Sequence, residues 1–199
     1  MTKIVAIAGG TASGKTTLAR DLLRLGGEDL VQIVPLDAYY QCNGHLPLEQ
    51  RAAVNYDHPL AFEISVLAQQ LAVLSRGEVV DIPVYDFATH SRSAVTKRIK
   101  PTALILVEGI LALHFTELRS FYSRSVFVDT PEALRLSRRI ARDVRERGRT
   151  EASVHEQWNE NVHPMHLEFC EPTKAIALEI FDGAAWNDEQ VLALLERLG

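Results

Sequence analysis

The chain opens with an apolar run that ends in a glycine-rich turn, Ile4-Val-Ala-Ile-Ala-Gly9-Gly-Thr-Ala-Ser-Gly14-Lys15-Thr16-Thr17. A turn of this spacing between a buried strand and a helix aims successive backbone N–H groups inward. The helix that follows adds the positive end of its dipole. Such a nest suits the phosphates of a nucleoside triphosphate. Gly9, Gly10, Thr11, Ala12, Ser13, Gly14, Lys15, Thr16 and Thr17 are therefore candidate phosphate ligands. Lys15 is spaced to reach the transferred phosphate, and the Thr16 hydroxyl to ligate magnesium. The competing reading, a chance glycine-rich turn before a helix, has to explain both the complete spacing and the strand directly before it.

The bulk properties narrow the partners. The 199 residues are 47% hydrophobic and 24% charged, ordinary for a single domain that buries its own core. A net charge of -5 argues against bulk attraction to nucleic acid or to an anionic membrane. No apolar run is long enough to span a bilayer. The apolar start runs into functional glycines rather than a cleavage-like segment, so it does not read as a secretion signal. Cys42 and Cys170 fit neither a metal pattern nor a disulfide scaffold and read as reduced thiols. The expected location is the cytoplasm.

Apolar runs predict strands over 3–8, 31–35, 102–107, 125–129 and 175–181, and helical patterns cover 15–25, 60–76, 131–148, 151–162 and 188–198. Residues 79–85, broken by Pro83, read as an edge or hairpin element, and 39–59 as a polar loop with a short helix near 48–53. This alternation predicts an α/β fold of three layers, α/β/α, with a parallel five-stranded sheet covered on both faces. A small substrate-side hairpin and an arginine-rich helical lid over 130–165 complete a single domain of residues 1–199. Ligands of such a sheet sit beyond the carboxyl ends of its strands. Gly9–Thr16, Asp37, Glu108 and Asp129 all follow strand ends, so they can gather in one cleft.

Asp37 is placed to position a hydroxyl acceptor and take its proton, and it is also a candidate for the metal shell. A turn or cap role is the alternative. Glu108, before Gly109, is a candidate magnesium ligand with Thr16; a cap or a strand-edge ion pair is its alternative. Asp129 sits just before Pro131 and reads as a helix cap. Arg135, Arg138, Arg139, Arg142, Arg145, Arg147 and Arg149 crowd one segment of an acidic chain, and Arg135, Arg138, Arg142 and Arg145 recur at helical spacing. They form either a solvated charged helix or a lid that neutralises phosphate charge and excludes water. Asn55–Pro59 and Tyr85–Arg92 mix rings with donors and acceptors, the wall a flat heterocycle needs, although each residue there could equally be structural.

Taken together, these segments resemble the uridine kinase (uridine-cytidine kinase) family, within the group that contains phosphoribulokinase. The matching pieces are Gly9–Thr17, Asp37-Ala-Tyr-Tyr40, Asn55-Tyr-Asp-His-Pro59, Pro83–Arg92, Glu108-Gly-Ile-Leu111, Val126–Thr130, Arg138–Arg149 and Glu171-Pro-Thr-Lys174. The resemblance implies transfer of phosphate from ATP or GTP, with magnesium, to the 5'-hydroxyl of uridine or cytidine. It implies catalytic roles for Asp37 as base, for Lys15 and for Arg142. Asp57 and Arg142 would bind the ribose hydroxyls, Tyr40 would help frame the sugar, Tyr56 would be a further substrate-binding residue, and Gln157 would sit near the ribose. Tyr85, Phe87 and His90 would form the pyrimidine pocket. Thr16, Glu108 and Asp37 would surround magnesium, and Arg145, Arg147 and Arg149 would belong to the phosphate lid. A homo-oligomer, a tetramer, is also implied. Another nucleoside or a phosphorylated sugar is the alternative acceptor, and a nucleotide-switched binding protein the alternative class.

The chain departs from the family in three places. Tyr56 stands where phenylalanine is usual, so its hydroxyl needs a partner. Leu60 replaces an acid that often follows His-Pro. After Lys174 the usual aspartate and the arginine of an Ile-Ile-Pro-Arg-Gly stretch are absent; the chain reads Ala177-Leu-Glu-Ile-Phe-Asp-Gly183.

Overall fold

The computed structural model describes residues 2–199. In chain order the elements are β1 (Lys3–Ala8), α1 (Lys15–Gly26), β2 (Val31–Pro35), α2 (Leu48–Ala52), α3 (Ile64–Ser75), β3 (Val80–Asp86), β4 (Ser91–Ile99), β5 (Leu104–Glu108), α4 (Thr116–Arg119), β6 (Tyr122–Asp129), α5 (Glu132–Arg147), α6 (Glu151–Gln157), α7 (His163–Met165), β7 (Glu179–Asp182) and α8 (Asp188–Leu198). Five strands form one sheet in the order β2-β5-β1-β6-β7, every neighbour parallel. β3 and β4 form a separate antiparallel hairpin. The expected parallel five-stranded α/β/α architecture is the one the chain adopts.

The sheet is buried on both faces because its central strands are apolar at successive positions. Side chains alternate across it. Val5, Ile7, Leu104, Leu106, Val126 and Val128 pack on one side with Leu18 and Leu22 of α1 and Val191, Leu194 and Leu198 of α8. Ile4, Ala6, Ile105, Val107 and Phe127 pack on the other, with Leu67, Leu71 and Leu74 of α3 and Leu118 of α4. The register aligns the carboxyl ends: Glu108 lies opposite both Ile7 and Pro35, and Phe127 opposite Ala8. No helix among the described residues is long and apolar enough to cross a membrane.

Four elements differ most from their sequence expectation. α3 begins at Ile64 rather than at Leu60, because Pro59–Ala61 forms a 3-10 turn whose entry is capped by His58 Nδ1, accepting from the Leu60 N–H at 3.1 Å. β4 has no apolar alternation because most of its residues are exposed, so the second hairpin strand escapes a periodicity reading. The helix from Glu151 continues past Val162 to Cys170 through two π-helical turns, Trp158–Val162 and His166–Cys170, on either side of α7. Pro164 falls inside α7, and its ring and missing N–H disturb α-helical pairing, which the wider π winding around it accommodates. β7 starts late, at Glu179, because Glu171–Ile176 is a 3-10 turn. By contrast α8 starts where expected. A reciprocal cap fixes it: Asn187 Oδ1 accepts from the Gln190 N–H and Gln190 Oε1 from the Asn187 N–H, both at 3.0 Å.

Leu106 is fully buried at the centre of the sheet. Leu106→Ala should lower the unfolding free energy by about 2–5 kcal/mol, measured by denaturant titration; a loss within ~0.5 kcal/mol would contradict this packing.

Candidate active site

The turn after β1 forms an anion nest. Gly9 and Gly14 have φ of 143° and 97°, and Ala12 between them also lies in the left-handed region at 57°. A side chain at Gly9 would meet the Val128 carbonyl at 2.6 Å, so glycine is required there by close approach as well as by angle. Gly14 leads into α1, whose first turn supplies Lys15, Thr16 and Thr17.

Beyond the ends of β2 and β5, Asp37 and Glu108 meet this nest. Asp37 sits in a 3-10 turn, Leu36–Tyr39, directly after β2. Glu108 is buried and its Oε2 accepts a hydrogen bond from the Thr16 hydroxyl at 3.1 Å. Burial holds the Glu108 carboxyl above its ordinary value, with Lys15 pulling the other way and Asp37 adding to the rise. Two carboxylates and a hydroxyl beside a phosphate nest are hard oxygen donors. They suit a magnesium ion that takes its remaining ligands from phosphate and water. Among the described residues no three His, Cys, Asp or Glu side chains form a metal cluster by themselves.

The rings of Tyr40, Tyr56, Tyr85, Phe87 and His90 form one wall. Tyr40 lies 4.9 Å from Tyr56 and 5.0 Å from Tyr85, centroid to centroid. Tyr56 stacks on His90 at 5.5 Å, and Phe87 stands edge-on to Tyr85 at 5.2 Å. The hydroxyl that distinguishes Tyr56 from phenylalanine donates to the Arg51 carbonyl at 3.0 Å. The Tyr85 hydroxyl is buried without a partner among the described residues, a polar group left for a ligand. Burial first, then Asp37 and Asp57, hold the Tyr40 phenol protonated. His90 turns the hairpin with φ of 49°. Burial, then Arg149 and Arg147, lower its pKa, which favours the neutral ring with one donor and one acceptor. Asp57 joins this wall to the nest. Burial raises its carboxyl, and Arg139 is the cation that opposes the rise most.

The arginine helix is organised by a residue the sequence pattern did not single out. Asp143 is 0% exposed and has four guanidinium groups around it: Arg142 at 2.8 Å, Arg149 at 3.4 Å, and Arg139 and Arg147 at 3.6 Å. Burial alone would raise its pKa, but Arg142, Arg147 and Arg139 overcome that and hold it below the usual range. The buried face of α5 is Arg135, Arg139 and Asp143, whereas Arg138, Arg142 and Arg145, which share helical spacing with Arg135, are less buried. The sequence marks Arg139 only as one of the clustered arginines, with no role of its own, yet its Nη1 donates to Thr11 Oγ1 at 2.8 Å and its Nη2 to Gln157 Oε1 at 2.6 Å. Arg149 also donates to Gln157. Arg142 is part-exposed and turned onto Asp143, so Arg139 is the guanidinium that links Gln157 and the nest. Arg147 lies over the Phe87 ring at 4.8 Å, and Arg145 is exposed and paired with Glu146. The cap expected of Asp129 is absent: Asp129 Oδ2 accepts from Lys174 Nζ at 2.7 Å, and α5 starts without a side-chain cap. The π-helical turns bring in His166, which no periodicity marked. It is buried against Gly10, its Nε2 is 3.2 Å from Glu171, and burial with Arg135 nearby lowers its pKa to about 4.

A parallel sheet carrying a phosphate nest, a carboxylate pair and a wall of rings defines a phosphotransferase of the phosphate-loop class. The sequence model of the phosphoribulokinase / uridine kinase family matches residues 4–188. The chain belongs to that family. It is 45% identical over 195 residues to a uridine kinase of Chloroflexus aggregans, covering 98% of this chain and 93% of that one. A uridine kinase of Tolumonas auensis is 46% identical over 178 residues, covering 87% and 83%. Among solved structures, phosphoribulokinase from Rhodobacter spheroides superposes with a TM-score of 0.66 at 15% identity, over 92% of this chain and 73% of that one. D-glycerate 3-kinase from Cryptococcus neoformans does so at 0.62 and 17%, over 86% and 80%. These two structures share the fold.

His166 gives a pH test of this packing. Its folded pKa of about 4 lies below the ordinary 6.5, so the unfolded chain takes the proton first as pH falls. Stability is thus lost between pH 6.5 and 4, with a slope from this residue of at most about 1.4 kcal/mol per pH unit. His166→Phe should flatten the fall in unfolding free energy across that window; an unchanged slope would contradict a neutral buried His166.

Proposed function

We propose that the chain transfers the terminal phosphate of ATP to the 5'-hydroxyl of uridine or cytidine, giving UMP or CMP for pyrimidine salvage. The observation that carries this reading is the meeting of Asp37, Asp57 and the ring wall at one end of the phosphate nest. A phosphorylated sugar would have no use for stacked rings and a neutral imidazole, and a nucleotide switch would have no use for an acceptor wall. The names carried by the 45–46% identical relatives support the same acceptor.

In this reading Asp37 takes the proton from the 5'-hydroxyl as its oxygen bonds to phosphorus and the bond to ADP breaks. Asp57 accepts from the ribose hydroxyls, with Arg142 and Gln157 nearby. Tyr40 and Tyr56 frame the sugar, Tyr85 and Phe87 flank the pyrimidine, and the neutral His90 bonds its edge. Gly9–Thr17 cradle the donor phosphates, and Lys15 offsets the charge on the transferred group. Arg142, Arg145, Arg147 and Arg149 would close over it, within a lid of residues 130–165 belonging to the single domain 1–199. Thr16, Glu108 and Asp37 would hold magnesium, which supplies charge neutralisation at the phosphates. GTP is a second donor in this reading, the assembly a homotetramer, and the location the cytoplasm.

Asp37→Asn should lower kcat by about 10²–10⁴-fold with ATP binding little changed, read by coupled ADP release and calorimetry; wild-type turnover would remove Asp37 as the base. Asp57→Ala should level kcat/KM for cytidine and 2'-deoxycytidine, because the wild-type carboxylate is left unpaired when a hydroxyl is missing. An unaltered ratio would exclude Asp57 from the sugar site.

A further inference from the structure

The segment that departs most from its family returns to the phosphate nest on the side away from the acceptor wall. After β7 the Gly183 N–H donates to the Asp129 carbonyl at 2.7 Å. A side chain on Gly183 would meet the Ser13 carbonyl at 2.6 Å, so this backbone lies tight against the nest. The chain then presents Trp186, half-buried, across the start of α1. A Cβ on Gly14 would lie 2.8 Å and 3.1 Å from two atoms of the indole ring, and 3.8 Å from Arg138 Nη1. The two ends of the nest thus differ. Gly10 faces Arg135 and His166, close to Asp57, whereas Gly14 faces an indole and a guanidinium.

A nucleoside triphosphate whose reacting end lies toward Lys15, Thr16 and Asp37 has its other end to place away from the acceptor wall. We propose that Trp186 is the stacking platform for the base of the donor nucleotide, with Arg138 fixed beside it. This rests on the kinase reading above. The indole N–H and both terminal nitrogens of the guanidinium already have partners. Trp186 Nε1 donates to Asp21 Oδ2 at 3.0 Å, and Phe181 braces the ring edge-on at 5.7 Å. Arg138 Nη1 and Nη2 donate to the Gly183 and Ala184 carbonyls, both at 2.7 Å. What the indole offers a base is flat surface, its one N–H being taken by Asp21. Stacking accepts every base. The donor site therefore takes ATP and GTP with similar affinity, and the base adds affinity through ring contact alone.

The test compares ATP, GTP and inorganic tripolyphosphate, each with magnesium, by calorimetry on the wild-type chain, Trp186→Ala and Trp186→Phe. Trp186→Ala should weaken ATP and GTP alike by about 5- to 100-fold, leave tripolyphosphate unchanged, and be largely rescued by Trp186→Phe. Equal ATP affinity in wild type and Trp186→Ala, or a matching loss for tripolyphosphate, overturns the proposal. So does a strong wild-type preference between ATP and GTP. Should Trp186→Ala not fold, acrylamide quenching of the wild-type chain decides. Trp158 is buried, so ATP should shield the accessible fluorescence and tripolyphosphate should not. No shielding by bound ATP overturns the proposal. Failure of the wild-type chain to bind either ATP or tripolyphosphate overturns the nucleotide site itself, and the platform with it.

Discussion

The site depends on the parallel pairing of β1 with β5 and β6, and of β5 with β2. Parallel strands that start level also end level. The register sets Ile7, Pro35 and Glu108 side by side, so the turns that follow three separate strands open onto the same edge. Those turns carry the phosphate nest, Asp37 and the end of β5 with Glu108. Continuous apolar strands fix this register because both faces of the sheet are buried, and a slip by one residue would exchange the two faces. The Thr16–Glu108 hydrogen bond then ties the first turn of α1 to the end of β5.

Charge is the second constraint. Four arginines within reach of one another would repel, and the wholly buried Asp143 resolves this by accepting or facing all four. The arginine helix is thereby held in a defined arrangement beside the acceptor wall, through Arg139 on Thr11 and Arg147 on Phe87. Removing one partner of a buried ionic group leaves an uncompensated charge, so the cluster behaves as a unit and not as a set of independent surface charges.

Much of this was legible in the sequence because the relevant signals are local. The apolar runs gave the five strands, glycine spacing gave the nest, and strand-end positions gave Asp37 and Glu108. The ring wall was legible as two polar segments rich in aromatics. What escaped notice lies in long-range choices. Arg139 and Asp143 look like any members of a charged helix until the helix is docked, since only the contact with Thr11 and Gln157 shows which face is inward. His166 sits in π-helical winding, which shifts residues off the 3.6 period. Asp129 had a cap's position, but Lys174, 45 residues later, offered it a stronger partner. β4 is too exposed to show a pattern.

The most direct measurement offers magnesium-ATP together with uridine, cytidine, adenosine, nicotinamide riboside and ribulose 5-phosphate, and follows ADP release and product mass. The geometry predicts selective formation of UMP or CMP, each one phosphate heavier than its nucleoside and phosphorylated at the 5' position. Turnover of another acceptor with none of uridine or cytidine would contradict it, and would mean that the ring wall around Tyr85, Phe87 and His90 serves a different ligand.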